Sequence, residues 1–201
     1  MFIKIQIPLY CLLQVCLACC SVSGQTIQYS NKTFGITMDF PWNWQLLTER
    51  EINSLRGNGL VDSEETNSDI KEVEDVNSIT IISVALNKRY DPDYTIQVLS
   101  DKIIEASKDE SEYDYLMNGI EYMKLRGLQV TKYTLPEQYS TSRGIPFCTS
   151  KLEVVIGGQT HYERNFVIKR PNDFLIISGS FLNVNDDHWM QEVVNSVSFD
   201  Q

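Results

Sequence analysis

A pair of adjacent glycines constrains the fold of this chain more than any other feature. Gly157 and Gly158 divide the segment KLEVVIGGQTHYERNFVIKR, residues 151–170, into two halves rich in β-branched and apolar residues. Because a two-residue turn with positive φ at both positions matches the twist of a hairpin, this pattern predicts two antiparallel strands. The chain must therefore build an antiparallel sheet, for which other segments supply the neighbouring strands.

Four further segments have the pattern of strands. Residues 34–40, FGITMDF, alternate apolar and polar side chains, which indicates a strand with one wetter face that stops or bends at Pro41. Residues 78–86 and 173–182 are apolar on both faces, which is typical of inner strands covered on both sides. Residues 121–135 predict one strand, or two broken near Gly127, and a turn-rich loop follows.

Three segments predict helices: residues 48–55, 90–107 and 185–199. In the first, Thr48 and Glu51 have the spacing of a capping box. In the second, one apolar stripe consists of Ile96, Leu99, Ile103 and Ala106. Helices separated by runs of hairpin-linked strands indicate the α+β class. We expect a single domain with a central antiparallel β-sheet flanked by helices, an α/β/α sandwich.

The first 24 residues have the layout of a signal peptide: a basic start, an apolar run from Ile5 to Ala18 and small residues before Gln25. A competing interpretation is a bacterial lipoprotein box in CLACC, with Cys19 or Cys20 as the lipidated residue. Either way we expect an exported protein, periplasmic or secreted, or else anchored by lipid to an envelope membrane. Cleavage before Gln25 leaves Cys148 as the one cysteine, so the domain 25–201 has no internal disulfide.

The charge of the chain limits its partners. A formal net charge of −10 argues against binding nucleic acid or anionic lipid. The most acidic stretch is residues 60–77, which lacks the glycine and the ligand spacing of a calcium loop and is better interpreted as a solvated loop.

The sequence contains no recognisable catalytic or metal motif. His161 and His188 are isolated in sequence, so we expect no metal site, and the chain has no phosphate loop or dinucleotide fingerprint, so we expect no cofactor. The alternative is a secreted hydrolase that uses Cys148, with His161 as its base, or a pair of carboxylates.

Residues 39–44, DFPWNW, allow two interpretations. Phe40, Trp42 and Trp44 could pack beneath a corner of the sheet that Pro41 bends. Alternatively, Trp42 and Trp44 form an exposed ligand platform, chiefly through Trp42. We expect the packed corner.

Two regions of the chain resemble the PsbP-like superfamily: YSNKTFGITMDFPWNW, residues 29–44, and the pair NDFLIISGSFL and VVNSVSF near the end. Members typically begin with an aromatic-glycine strand followed by proline and tryptophan, and close with a helix and a Ser-hydrophobic-x-Phe tail. The group includes photosystem accessory subunits, a nuclear Ran-binding protein and bacterial envelope lipoproteins such as DcrB. The resemblance implies a non-catalytic scaffold that binds or assists other proteins, and it transfers no functional residues. We therefore expect an exported accessory protein with a protein partner.

Overall fold

The computed structural model describes residues 26–47, 78–86, 94–104 and 107–200, and for 78–86 it describes the backbone alone. The predicted signal peptide with Cys19 and Cys20, the predicted helix 48–55 and the acidic loop 60–77 lie outside the described residues.

A large antiparallel sheet contains eight strands within the described residues, in the order β3-β4-β5-β10-β9-β8-β6, with β7 also paired to β8. These strands are β3 Trp44–Leu46, β4 Ser78–Leu86, β5 Thr95–Lys102, β6 Gln129–Tyr133, β7 Glu137–Ser140, β8 Pro146–Ile156, β9 Gln159–Lys169 and β10 Asp173–Phe181. Ile156 pairs with Gln159 across the two-residue turn. Gly157 and Gly158 have φ values of 59° and 83°, which confirms the predicted hairpin.

A smaller sheet has the order β1-β2-β11. Its strands are β1 Thr26–Asn31, β2 Ile36–Pro41 and β11 Ser198–Phe199. In β2 the side chains of Ile36, Met38 and Phe40 are buried, as the alternation of FGITMDF predicts.

Two helices of the described chain cover opposite faces of the large sheet. Helix α1, Glu112–Leu125, buries Leu116 against Cys148, Val167 and Phe174. Helix α2, Asp187–Ser196, follows a 3₁₀ turn and packs with the small sheet on the other face, where it buries Met190, Val193 and Val194. The layers are therefore α1, then the large sheet, then α2 with the small sheet, which confirms an α+β sandwich. Neither helix is long and apolar enough to cross a membrane.

The predicted helix over 90–107 is wrong, because Thr95–Lys102 is strand β5. This strand pairs with β4 on one side and β10 on the other, so its backbone hydrogen bonds are made on both edges. Ile96 and Val98 are fully buried on one face, while Leu99 packs beneath α1 on the opposite face. The apolar residues that suggested a helical stripe therefore belong to two faces of a strand.

Helix α1 is not among the predicted helices, and its last residues take the place of the beginning of the strand predicted over 121–135. Ser111 and Asp114 form a capping box, in which the Asp114 amide donates to Ser111 Oγ and the Ser111 amide donates to the Asp114 carboxylate. At the other end the Gly127 amide donates to Lys124 and the Leu128 amide to Met123, which is a Schellman stop. The predicted strand starts after this stop, as β6.

Candidate functional site: the corner groove

The DFPWNW segment carries the chain from one sheet to the other. Strand β2 ends at Pro41 in the small sheet, Trp42 and Asn43 form a turn, and β3 begins at Trp44 in the large sheet. Because proline has no amide hydrogen to donate, it suits the end of a strand where the ladder stops. The turn interrupts the alternation, so Trp42 and Trp44 are not held on one face of one strand.

The two tryptophans have different environments. Trp44 is 2% exposed and belongs to the main core with Phe40, whereas Trp42 is 63% exposed. The packing interpretation is therefore correct for Phe40 and Trp44 and wrong for Trp42. Trp42 instead has the exposed position that the platform interpretation requires.

Between the two sheets lies a groove of about 490 Å³, which we call the corner groove. Its lining consists of Ile27, Gln28, Tyr29, Phe40, Trp42, Trp44, Gln45 and Leu46. Ile27 and Leu46 are exposed apolar side chains at its sides, and neither was predicted. Strand β1, which carries Ile27, is not among the strands that the sequence predicts.

Trp44, which lines the corner groove, has a buried polar atom without a partner among the described residues. The Trp44 Nε1 group is buried and has no hydrogen-bond acceptor among the described residues. An indole N–H is a donor only, and burying it without an acceptor costs about 1–3 kcal/mol. Because this atom is buried within the core, it belongs to the packing of Trp44 and is not a contact point for a ligand.

Strands β1 and β3, which flank the corner groove, are edge strands in the described part of the molecule. Strand β1 pairs with β2 alone and β3 with β4 alone. An edge strand has a row of backbone groups that can pair with another extended chain. The groove therefore combines apolar side chains with two strand edges that have no partner strand among the described residues.

The residues of the hydrolase alternative do not form a shared site. Cys148 pairs with Val167 on β9, whereas His161 pairs with Val154, six positions further along β8. At a rise of about 3.3 Å per residue, the two side chains are about 20 Å apart. Burial raises the pKa of the Cys148 thiol, so its environment favours the protonated form.

His188 contacts a backbone carbonyl and an aromatic ring, neither of which makes it part of a metal-binding group. Its Nδ1 lies 2.8 Å from the Asn185 carbonyl oxygen, and its ring packs against Trp189 with a centroid separation of 4.4 Å. In the described ranges, no group of three or more His, Cys, Asp or Glu side chains is placed to hold a metal ion.

No protein family and no curated protein sequence matches this chain. Among solved structures, it is similar to a cyanobacterial PsbP (CyanoP) from Synechocystis sp. PCC 6803, with 12% identity and a TM-score of 0.53 over 90% of this chain and 95% of that chain. The chain has a PsbP-like fold. At this identity the PsbP likeness establishes the architecture and assigns no functional residue.

Two other solved structures have lower TM-scores against this chain. A Bacteroides thetaiotaomicron VPI-5482 protein has 10% identity and a TM-score of 0.47 over 89% of this chain and 49% of that chain. The Ran-binding protein Mog1p from Saccharomyces cerevisiae has 11% identity and a TM-score of 0.46 over 88% of this chain and 96% of that chain.

Proposed function

We propose that this protein is a non-catalytic, exported accessory protein of the cell envelope that binds an extended segment of a protein partner in the corner groove. The observation that carries the proposal is the exposed Trp42 side chain beside an apolar groove that two edge strands flank.

The two edge strands favour a polypeptide over a small apolar molecule as the occupant of the groove. A peptide that adds to β1 or β3 would form main-chain hydrogen bonds, and its side chains would alternate into the groove. Exposed tryptophan is among the residues that contribute most to protein interfaces, which gives Trp42 the role of anchor.

Export is supported by the sequence of residues 1–24, with its basic start, apolar centre and small-residue exit. The single cysteine after this segment is buried in the sheet, so the domain depends on its core rather than on a disulfide. The absence of catalysis is supported by the separation of Cys148 from His161.

Site-specific photo-crosslinking in the source organism tests the partner. A benzophenone amino acid is placed at Trp42, and the matched control carries it at Leu125, which is 85% exposed at the end of α1 on the opposite face of the large sheet. We expect a protein adduct from position 42 and none of the same mass from position 125.

A synthetic peptide covering the crosslinked segment then tests the mode of binding. The peptide should bind the purified protein, and N-methylation of alternate residues should abolish binding because it removes the donors of strand addition. A lipid or small-molecule adduct at position 42, an adduct to a second copy of this chain, or equal binding of the N-methylated peptide would contradict the proposal.

Intact mass of the protein from its own host tests export independently. Cleavage before Gln25 gives an unmodified chain, and the lipoprotein alternative gives an acylated chain that starts at Cys19 or Cys20. A full-length chain that still carries residues 1–24 would reject both forms of export.

A further inference from the structure

A second cavity lies on the α2 side of the large sheet, away from the corner groove. Its volume is about 140 Å³. The lining consists of Lys132, Tyr133, Thr134, Lys151, Leu152, Glu153, Tyr162, Glu163, Arg164, Phe181, Val184 and Asp187. We call it the Arg164 cavity. A cavity of this volume accommodates a molecule about the size of a benzene ring.

Arg164 is a buried cation with unused hydrogen-bonding capacity. It is 6% exposed, yet it lies in β9 among aromatic rings, with its guanidinium 4.7 Å from the Phe166 centroid and 5.7 Å from that of Tyr139. Its Nε donates to Thr149 at 3.3 Å and its Nη1 donates to Asp187 at 2.6 Å. Its Nη2 has no acceptor among the described residues, although a guanidinium carries five donors.

The charges around Arg164 leave one cation in excess. Asp187 Oδ2 accepts from both Lys151, at 2.9 Å, and Arg164, so one carboxylate is shared by two cations. Lys132 is paired separately with Glu153 at 3.1 Å. Glu163 lies next to Arg164 along β9, so its side chain points to the other face of the sheet.

The pairing of Asp187 is also incomplete. All three of its hydrogen bonds, from Lys151, Arg164 and Gln191, go to Oδ2. Its Oδ1 is buried without a donor in the described part of the chain. The carboxylate of Asp187 therefore directs one oxygen to both cations, which leaves the second cation without a carboxylate of its own.

We propose that the Arg164 cavity binds a small monocarboxylate with an apolar body. The ligand carboxylate would accept from Arg164 Nη2 and the Lys151 ammonium group, and its apolar part would contact Tyr162, Phe181 and Val184. A single negative charge matches the one excess cation. A phosphate dianion would meet the nearby carboxylates of Glu153 and Asp187.

Benzoate titration followed by two-dimensional amide NMR tests this site, with benzyl alcohol as a ligand of similar shape and no charge. We expect benzoate to bind saturably and to shift the amide signals of Tyr162, Arg164 and Val184. Benzyl alcohol should bind at least about tenfold more weakly, because it cannot form the charged hydrogen bonds.

A negative charge introduced at an exposed position of the lining tests the site without disturbing the fold. Val184 is 55% exposed, so Val184→Asp should leave thermal unfolding unchanged while its carboxylate weakens benzoate binding about tenfold. The matched control, Leu125→Asp, adds the same charge on the opposite face and should leave binding unchanged. Absence of saturable benzoate binding, equal binding of benzyl alcohol, or equal binding to the Val184→Asp protein would overturn the proposal.

Discussion

Trp42 and Trp44 are separated by one residue, yet the first is 63% exposed and the second is 2% exposed. The turn at Trp42 and Asn43 separates the strand that ends in the small sheet from the strand that begins in the large one. One tryptophan therefore stabilises the fold and the other is available to a partner. Alanine substitutions at the two positions should have opposite consequences.

We predict that Trp44→Ala destabilises the protein by about 3–5 kcal/mol, because it removes a large buried ring and leaves a cavity in the core. Trp42→Ala should change the free energy of unfolding by less than about 0.5 kcal/mol and abolish binding of the crosslinked peptide. Urea unfolding and peptide titration measure the two effects. A stability loss of similar size for both variants would show that Trp42 is also a packing residue.

The sequence correctly predicts those strands, turns and helices whose signals lie in neighbouring residues. The Gly157-Gly158 hairpin, the strand of residues 34–40 and the closing helix are all present, because each has its turn, alternation or apolar stripe in adjacent residues. Residues 95–102 were predicted as helix because the spacing of their apolar side chains fits both the helical repeat and the alternation of a strand. Hydrogen bonding to β4 and β10, two strands outside this segment, favours the strand over the helix.

The missed helix α1 and the Arg164 cavity show two different limits of the sequence. Helix α1 has a readable signal in the Ser111–Asp114 capping box and in Leu116 and Ile120, four residues apart on one stripe. The cavity has none, since Arg164 and Asp187 are 23 residues apart and meet only because α2 packs on the sheet beside β9. Such a pair depends on tertiary packing and cannot be predicted from spacing.

Gly179 is required by the contact between β10 and α2. A Cβ at this position would lie 2.3 Å from Met190 Sδ and 2.9 Å from Phe181 Cζ, and both side chains are buried. We predict that Gly179→Ala destabilises the protein by about 1–3 kcal/mol through overpacking. Adding Met190→Ala should recover part of this loss, which a double-mutant cycle by urea unfolding would measure.

The matched control for this prediction is Gly119→Ala in the interior of α1, where a Cβ would meet no atom within 4 Å. This substitution should stabilise the protein by about 0.5–1 kcal/mol, because alanine loses less backbone entropy in a helix. If Gly179→Ala also stabilises the protein, α2 does not pack on β10 as closely as the structure shows.

Glu163 should make stability dependent on pH. Burial raises its pKa from 4.5 to about 7, and its cross-strand neighbours are Leu152 and Ser180, neither of which carries a positive charge. The folded protein therefore binds this proton more tightly than the unfolded chain. The contribution of Glu163 to stability should be most favourable below about pH 4.5, become less favourable as the pH rises to about 7 and then level off.

Replacing Glu163 with glutamine removes this contribution. We predict that Glu163→Gln is more stable than the native protein above pH 7, by about 1–3 kcal/mol, and that the difference shrinks as the pH falls towards 4.5. Thermal unfolding from pH 4 to pH 8.5 measures it, with Glu137→Gln at an exposed position in β7 as the control. Parallel pH profiles for the native and Glu163→Gln proteins would show that Glu163 is solvated.

Cys148 should behave as a packing residue and not as a nucleophile. Its side chain is buried beneath α1 with Leu116, Val167 and Phe174, and burial raises the pKa of its thiol. Because the thiolate is the reactive form, we predict that a thiol reagent labels Cys148 very slowly in the folded protein at pH 8 and completely in guanidinium.

Mass spectrometry of the peptide that contains Cys148 separates this signal from any cysteine of residues 1–24. Ser142→Cys, at an exposed position, provides the positive control for labelling of the folded state. Native labelling of Cys148 as fast as that of Cys at position 142 would contradict its buried environment and restore the cysteine hydrolase alternative.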